Sequence, residues 1–478
     1  MSPAVIVGAG PAGVRAAQTL VAHGLRPVLV DEAARGGGQI YRQPPPGFER
    51  TARALYGFEA GRARAVHAAL AALLPQVDHR PDTLVWHAQP PAHGGTLALL
   101  HGPSARSHNQ PYGQLLLATG ATDRVLPLPG WTRPGVFSLG GAQVALKAQG
   151  CAIGRRVVFI GTGPLLYLVA WQYLKAGVRV AAVLEHARLA DQVAALPRLA
   201  SQPAVLAKGA WFVARLMAAG VAVRRGVRVL RLLGDEAGGP GAVNAVRWTD
   251  GTHEHTTPCD GVALGHGLRS ETQLADLLGC HFDWQPLHRA WLPRRDGAGR
   301  ASVPGVYLAG DGAGILGADA AEWAGERAAL ALLADRGLAV DASRAHWLDQ
   351  RLARAARFRE GLEQAFPFPQ QWAAQASDDT VVCRCEAITA GELRQAARDT
   401  GASELNRLKA LCRVGMGRCQ GRLCAAAAAE LLAQHGGQPV HSVGRLRGQA
   451  PVKPVPVALQ PVAMQPAAPR GGDAGDRP

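Results

Sequence analysis

The feature that most constrains this chain is a glycine-rich loop close to its start. The loop reads Gly8-Ala-Gly10-Pro-Ala-Gly13, follows the apolar run Ala4-Val-Ile-Val7 and opens a segment rich in alanine and leucine. A strand, this glycine spacing and a helix together form the fingerprint of a dinucleotide-binding βαβ unit. The first glycine permits the tight turn, the second lets a pyrophosphate approach the backbone, and the third lets helix and strand pack closely. The pattern predicts a parallel α/β fold with a phosphate at the helix N-terminus.

An acidic residue is expected about 20 residues after such a loop, where it binds ribose hydroxyls. Asp31 and Glu32 occupy that place, and the spacing favours Asp31. The predicted residues of this first site are Gly8, Gly10, Pro11, Ala12, Gly13, Asp31 and Glu32.

The same pattern recurs about 150 residues later and predicts a second Rossmann-like domain. Its loop, Gly161-Thr-Gly163-Pro-Leu-Leu166, has a leucine where the third glycine is expected. A leucine there should push the helix away from its strand. Glu185 is the candidate ribose acid. The sequence leaves open whether this loop, with Gly161 and Gly163, holds NAD, another nucleotide or nothing.

Three further motifs resemble those of two-dinucleotide-binding flavoproteins, the glutathione and thioredoxin reductase class. They are Gly36-Gly-Gly-Gln-Ile-Tyr-Arg42, Leu117-Ala-Thr-Gly120 and Val306-Tyr-Leu-Ala-Gly-Asp311. The resemblance implies FAD in the first domain, an aspartate on its ribityl chain and the first of these loops near the flavin. The candidate residues are Gln39, Arg42, Thr119, Gly120, Gly310 and Asp311.

That class works through a pair of neighbouring cysteines beside the flavin. Here Cys151, Cys259 and Cys280 are isolated from one another in the sequence. The sequence therefore does not predict dithiol chemistry, and its catalytic residues stay unknown.

The other five cysteines crowd into one stretch near the C-terminus. Cys383-x-Cys385 and Cys419-x4-Cys424 place four thiols on two short loops, with a predicted helical hairpin between them. Four thiolates suit a [2Fe–2S] cluster or a structural zinc ion, and the ligands alone do not decide. The candidate metal ligands are Cys383, Cys385, Cys419 and Cys424, with Cys412 a bystander.

The loop that ends in the last two of these cysteines favours the cluster. Gly415-Met-Gly-Arg-Cys-Gln-Gly-Arg-Leu-Cys424 resembles the small domain of bacterioferritin-associated ferredoxins. The short form of that domain ends in Cys-x-x-Cys, whereas the Cys-x4-Cys spacing seen here resembles the form fused to flavoprotein subunits.

Taken together, residues 1 to about 450 resemble the A (alpha) subunits of opine oxidase, with hydrogen cyanide synthase and hydroxyproline or proline dehydrogenase subunits of the same build. The resemblance implies an electron-transfer subunit that partners a beta flavoprotein similar to D-amino-acid oxidase, which oxidises a small amine or imino acid. Electrons would pass between the partner's flavin, FAD and the [2Fe–2S] cluster. The alternative is a stand-alone NAD(P)H-dependent flavin and iron–sulfur reductase, against which Leu166 counts.

Charge and hydropathy bear on two other classes of function. The net charge is +15, yet the chain has only five lysines and its arginines are scattered, so a nucleic-acid partner is not predicted. The uncharged stretch 157–174 contains the second glycine loop and therefore reads as strand, turn and helix and not as a membrane span. The sequence predicts a cytoplasmic protein without a transmembrane segment, and leaves open a peripheral contact with the inner membrane through an electron acceptor.

The predicted organisation follows from these motifs. It comprises a discontinuous FAD-binding domain (1–123 and 266–340), an NAD(P)-like domain (124–265), a helical linker (341–376), a helical [2Fe–2S] domain (377–440) and a Pro-rich tail (448–478) that is extended or disordered.

Overall fold

The computed structural model describes residues 2–102, 104–235, 241–456 and 460–461. Its centre is a pair of five-stranded parallel sheets, each of which contains the strand that leads into one of the two glycine loops, and a small helical domain follows them in the chain. The α/β class predicted from the two loops is therefore confirmed.

Four of the five strands of the first sheet are short, apolar and largely buried, as is typical of parallel sheets, whereas the edge strand Asp78–Arg80 is polar and only partly buried. Its strands, in spatial order, are Val306–Leu308, Gln114–Leu117, Ala4–Val7, Val28–Val30 and Asp78–Arg80. The edge strand Val306–Leu308 comes from the part of the chain that follows the second domain, and its Leu308 pairs with Leu117. This pairing brings the segments after both strands to the same edge of the sheet.

The helices of the first domain cover the sheet, and a mostly antiparallel sheet stands beside it. The helices are Pro11–Ala22, Ala52–Tyr56, Ala60–Leu73, Gln273–Leu277 and Ala318–Asp335. The added strands are Thr83–Gln89, Thr96–His101, Arg106–Pro111 and Gln460–Pro461. Helices Pro11–Ala22 and Ala318–Asp335 touch closely, because a Cβ on Gly325 would lie 2.0 Å from the carbonyl oxygen of Ala12.

The second domain repeats the plan of the first. Its parallel sheet has the order Ala222–Arg225, Arg179–Glu185, Arg156–Thr162, Gly261–His266 and Val136–Ser138, and an antiparallel sheet adds Arg228–Gly234, Val243–Thr249 and Glu254–Pro258. Its helices are Leu139–Ala148, Pro164–Lys175, Leu189–Ala194, Leu196–Leu199 and Pro203–Ala218.

The chain crosses between the two domains twice, at one place. Strand Ala121–Asp123 leaves the first domain and pairs antiparallel with strand Leu268–Ser270, which returns to it. A short hairpin, Phe282–Gln285 with Ala290–Pro293, follows the return.

The linker and the small domain complete the chain. Helix Ala342–Ala365 starts with the Asp341 carboxylate accepting the Arg344 N–H, and the short helix Trp372–Gln375 follows it. The small domain has the ladder Val381–Cys383 with Ile388–Thr389 and helices Ala390–Thr400, Leu405–Cys412 and Ala425–His435.

Part of the predicted Pro-rich tail is ordered against the first domain. Val452 is buried, its N–H donates to the Trp86 carbonyl (3.0 Å), and Lys453 pairs with Glu32. For residues 448–456 the disordered alternative is therefore wrong, because the apolar side chain of Val452 packs into a core of the first domain. Residues 457–459 and 462–478 lie outside the described residues.

Among the helices of the described residues, none combines the length and the apolar character needed to cross a bilayer.

Candidate cofactor sites

The first glycine loop joins strand Ala4–Val7 to helix Pro11–Ala22. Gly8 has a φ of +107°, and a Cβ there would lie 2.3 Å from the Ala118 carbonyl oxygen. A Cβ on Gly13 would lie 1.7 Å from the carbonyl oxygen of Gly8. No side chain caps the helix, so its first N–H groups are not taken up by a capping side chain and suit an anion.

Asp31, and not Glu32, faces this loop. The Asp31 carboxylate accepts the N–H of Ala9 within the loop and the N–H of Ala33 (2.7 Å). Burial raises the pKa of Asp31, and these two hydrogen bonds oppose the rise. Glu32 is about half exposed (55 % of its side chain) and pairs with Lys453. The geometry therefore offers Asp31 as the carboxylate next to a bound ribose.

The two later flavin motifs meet the first loop at the same edge of the sheet. A Cβ on Gly310 would lie 2.9 Å from the Ala12 Cβ, and one on Gly312 would lie 2.7 Å from Thr119 Oγ1. Gly120, next to Thr119, has a φ of +69°. These close approaches bring the three motifs together.

Asp311 stands before the helix that begins at Ala318. Its Oδ1 accepts the N–H groups of Leu316 (2.9 Å) and Gly317 (3.1 Å). Burial raises the pKa of Asp311, and the two N–H groups oppose the rise. A buried carboxylate, an uncapped helix and close-packed glycines fit a dinucleotide with a pyrophosphate and hydroxyls.

The loop predicted to lie near the flavin is contacted by a residue of the second domain that the sequence did not reveal. Within the loop, Arg42 Nη2 donates to Gln39 Oε1 (2.7 Å). Lys147, from the second domain, is buried and its Nζ donates to the Ile40 carbonyl (3.0 Å). Burial lowers the pKa of Lys147 to about 8. A lysine in the otherwise uncharged helix Leu139–Ala148 was the available signal.

The second glycine loop is shaped differently from the first. Gly161 packs on the neighbouring strand, since a Cβ there would lie 1.6 Å from the Gly265 carbonyl oxygen, whereas Gly163 has no atom within 4 Å of the same position. Leu166 is fully buried in a core cluster with Phe159. A buried side chain thus occupies the position in this loop that Gly13 occupies in the first.

The candidate acid of the second site is enclosed. Glu185 is fully buried, and its carboxylate accepts the N–H groups of Gly163 (3.3 Å) and Ala187 (3.0 Å). Burial raises its pKa to about 7. The carboxylate is therefore not presented to solvent in this structure.

This burial predicts a pH-dependent stability. The Glu185 carboxyl has its ordinary pKa of 4.5 in the unfolded state and a pKa of about 7 in the folded state. At a pH between these two values, the folded protein keeps a proton on Glu185 that the unfolded protein has lost. Stability therefore falls as pH rises through this window, by about 3 kcal/mol in total. Urea unfolding at pH 5, 6, 7 and 8 should show this fall in the wild type and lose it in Glu185→Gln. An unchanged pH slope in the variant would contradict the assignment.

The four candidate cluster cysteines come together although 33 residues separate the two pairs. Cys383 ends a strand, and Cys424 immediately precedes helix Ala425–His435. A hydrogen bond with the Cys424 thiol lowers the pKa of Cys383 to about 6 and also lowers that of Cys419. Cys385 contacts Cys419 in turn. The thiols thus form one connected group.

Glycines let the two loops approach each other. A Cβ on Gly417 would lie 2.3 Å from the Cys385 Cβ, and Gly415 and Gly421 have φ values of +82° and +79°. In the part of the chain that the structure describes, no three His, Cys, Asp or Glu side chains are placed to hold one metal ion together. A [2Fe–2S] cluster distributes four thiolates over two irons, which suits two loops with two cysteines each.

The small domain packs against the segment that enters the second domain. Trp372 Nε1 donates to the Pro127 carbonyl (2.8 Å), and Trp131 Nε1 donates to the Val381 carbonyl (2.5 Å). Leu126 is fully buried in the core of the small domain. On the side of the first domain, Arg289 forms a two-bond ion pair with Glu430 (2.6 and 2.8 Å). The small domain therefore contacts both nucleotide-binding domains.

Comparison with known proteins decides the family. Residues 2–330 match the pyridine nucleotide-disulphide oxidoreductase family, and residues 381–434 match the BFD-like [2Fe-2S] binding domain. The A subunit of opine oxidase from Agrobacterium tumefaciens (strain Ach5) is 37% identical over 466 residues, which cover 95% of this chain and 90% of that protein. The chain belongs to the family of opine oxidase A subunits. The predicted resemblance is thereby confirmed.

Two other proteins extend the comparison within this family and its fold. Hydrogen cyanide synthase subunit HcnB of Pseudomonas protegens is 33% identical over 484 residues, covering 95% of this chain and 96% of that protein. The crystal structure of L-proline dehydrogenase from P. horikoshii superposes with a TM-score of 0.69 at 18% identity, covering 95% of this chain and 78% of that one. The latter shows a shared fold.

The family also answers the cofactor question left open by the sequence. As a member, the chain is an FAD-dependent oxidoreductase that carries a [2Fe–2S] cluster, so the cluster prediction is confirmed over the zinc alternative.

Proposed function

We propose that this chain is the electron-transferring A (alpha-type) subunit of a bacterial FAD-dependent amine or imino-acid dehydrogenase or oxidase. The substrate class is that of opines, hydroxyproline, proline or glycine, and the substrate is oxidised by a partner beta flavoprotein similar to D-amino-acid oxidase. The relatives support this proposal, because the opine oxidase protein and HcnB are both named as subunits of larger enzymes.

The chain's own residues have separate roles in this proposal. The uncapped helix at Pro11 holds the FAD pyrophosphate, Asp31 the ribose and Asp311 the ribityl chain, while the four cysteines bind the cluster. FAD supplies exchange of an electron pair with protons, and the cluster supplies exchange of single electrons.

The observation that carries the proposal is the position of the small domain. Its linker tryptophan, Trp372, and its strand residue Val381 bond to residues 127–131, where the chain has just crossed between the nucleotide-binding domains. The domain that carries the cluster cysteines is therefore packed beside this crossing. This position supports the cluster as a redox neighbour of FAD.

Two of the three isolated cysteines also favour electron transfer over disulfide chemistry. Cys259 and Cys280 are buried, and burial raises the pKa of both thiols to about 11. Thiols of this kind carry almost no reactive thiolate at neutral pH.

A stand-alone NAD(P)H-dependent reductase is the second candidate function. The open space before Gly163 favours it, because a phosphate group would meet no side chain there. The enclosed carboxylate of Glu185 and the buried Leu166 count against it. NADH added to the isolated holoprotein would bleach the flavin absorption at once if this second candidate were correct.

Co-expression with a beta flavoprotein similar to D-amino-acid oxidase tests the first candidate. We expect the purified complex to reduce an artificial electron-accepting dye with at least one of opines, D-hydroxyproline, proline, sarcosine and glycine. The partner expressed with the Cys419→Ser chain is the matched control and should pass fewer electrons to the dye. A complex loaded with both cofactors that responds to none of these amines would contradict the proposal.

A further inference from the structure

One short segment touches both cofactor sites. This coupling segment, residues 269–273, follows the return of the chain to the first domain. Towards the FAD site, Ser270 Oγ donates to the Asp311 carbonyl (2.6 Å), and the Glu271 carbonyl accepts from Thr119 Oγ1 (2.6 Å). The segment therefore holds the backbone of two of the flavin motifs.

The other side of the coupling segment holds the cluster loop. Arg269 Nη1 donates to the carbonyls of Gly421 (3.1 Å) and Arg422 (3.0 Å), and Gln273 Nε2 donates to the Gln420 carbonyl (2.7 Å). These three carbonyls belong to consecutive residues between the third and fourth cluster cysteines. These hydrogen bonds hold the loop that carries Cys419 and Cys424, two of the four candidate cluster ligands.

Charged side chains of the coupling segment also contact the cluster loop. Arg422 forms a two-bond ion pair with the Glu271 carboxylate (2.6 and 3.2 Å), and only 13% and 14% of the two side chains are exposed. Arg269 is bonded to carbonyls and interacts electrostatically with the thiols of Cys419 and Cys424. Arg269 and Glu271, which are two residues apart, thus place a positive and a negative charge against the same cluster loop.

We propose that Arg269 and Glu271 are positioning residues that set the reduction potential of the cluster relative to FAD, with opposite signs. The proposal rests on the proposed electron-transfer function in one respect, that electrons pass between these two cofactors. Reduction adds one negative charge to the cluster, and neighbouring charges and hydrogen bonds govern the potential of such centres. Arg269 therefore favours the reduced cluster, and Glu271 favours the oxidised one.

The electron balance is simple. Reduced FAD would give up two electrons and its protons in two single-electron steps, because a [2Fe–2S] cluster takes up one electron at a time. The first electron would have to pass from the cluster to an external one-electron acceptor before the second arrives, and the protons would pass to solvent. The coupling segment itself is neither oxidised nor reduced.

The test is an EPR-monitored dithionite titration of the holoprotein, with the flavin followed by absorbance in the same samples. In Arg269→Met, we expect cluster reduction to become about tenfold less favourable, equivalent to about 59 mV for a one-electron couple. Arg269→Lys keeps the charge and should lie near the wild type. Glu271→Gln should shift the cluster potential in the opposite direction, upwards.

Arg394→Met is the matched control. Arg394 belongs to the same small domain and donates to the Ala373 and Ala376 carbonyls (2.9 Å each), so it also holds backbone, but not at the cluster loop. Its cluster potential should equal that of the wild type.

Shifts of one sign in both Arg269→Met and Glu271→Gln, or no shift beyond that of Arg394→Met, would overturn the proposal. If Arg269→Met fails to assemble a cluster, the comparison of Arg269→Lys with Glu271→Gln still decides it. The titration uses no amine and no partner, so failure of this inference is distinguishable from failure of the amine-oxidising function.

Discussion

Cys419→Ser is expected to abolish the visible absorption and the iron of the cluster while FAD stays bound. Cys419 contacts both Cys385 and Cys424, so its loss removes the thiol that connects the two cysteine loops. The predicted FAD-binding motifs lie in the first nucleotide-binding domain, and Cys419 is not among their residues. Iron, sulfide and flavin analysis of the purified variant measures the result.

Cys412→Ser is the matched control for this change. Cys412 lies in the same domain at the end of helix Leu405–Cys412, and it is near Cys383 without a hydrogen bond to a thiol. We expect this variant to keep a full complement of iron. Retention of the cluster spectrum in Cys419→Ser, or its loss in Cys412→Ser, would contradict the assigned ligand set.

Gly13→Ala is expected to remove FAD and to destabilise the first domain. The added methyl would lie 1.7 Å from the Gly8 carbonyl oxygen, a backbone atom that cannot turn away. The helix must move off its strand, which costs about 3 kcal/mol or more by the measure of overpacked cores and widens the phosphate site. Flavin content after gel filtration and thermal unfolding report the two effects.

Gly61→Ala controls for the loss of a glycine. Gly61 lies in helix Ala60–Leu73 with nothing within 4 Å of an added Cβ. This change should leave FAD bound and raise stability by up to about 1 kcal/mol, because alanine loses less backbone entropy in a helix. Equal behaviour of the two variants would show that close packing at Gly13 is unimportant.

The elements that sequence predicts well here are those specified by local chemistry. The spacing Gly8, Gly10, Gly13 encodes a strand, a turn and a helix within a few residues, and the structure has them. The spacing of Thr389 and Glu392 is likewise that of a capping box, and the structure has one, with Thr389 Oγ1 accepting the Glu392 N–H (3.2 Å) and Glu392 accepting the Thr389 N–H (2.7 Å).

The contacts that sequence could not reveal join residues far apart in the chain. Arg269 meets Gly421 across 152 residues, and Lys147 meets Ile40 across 107. No periodicity or spacing links such pairs, because they depend on how whole domains dock. The ordered stretch around Val452 escaped prediction for the same reason: Pro-rich composition indicates a tail, but not the core in which one valine finds a place.

The docking of the small domain through Trp131 and Trp372 has a kinetic consequence. A separate ferredoxin must find its reductase by diffusion, so its turnover depends on dilution and on ionic strength. Here the iron–sulfur module is tethered by its own linker and already seated, which fixes its local concentration. Exchange between the two centres should therefore be first-order and insensitive to both dilution and added salt.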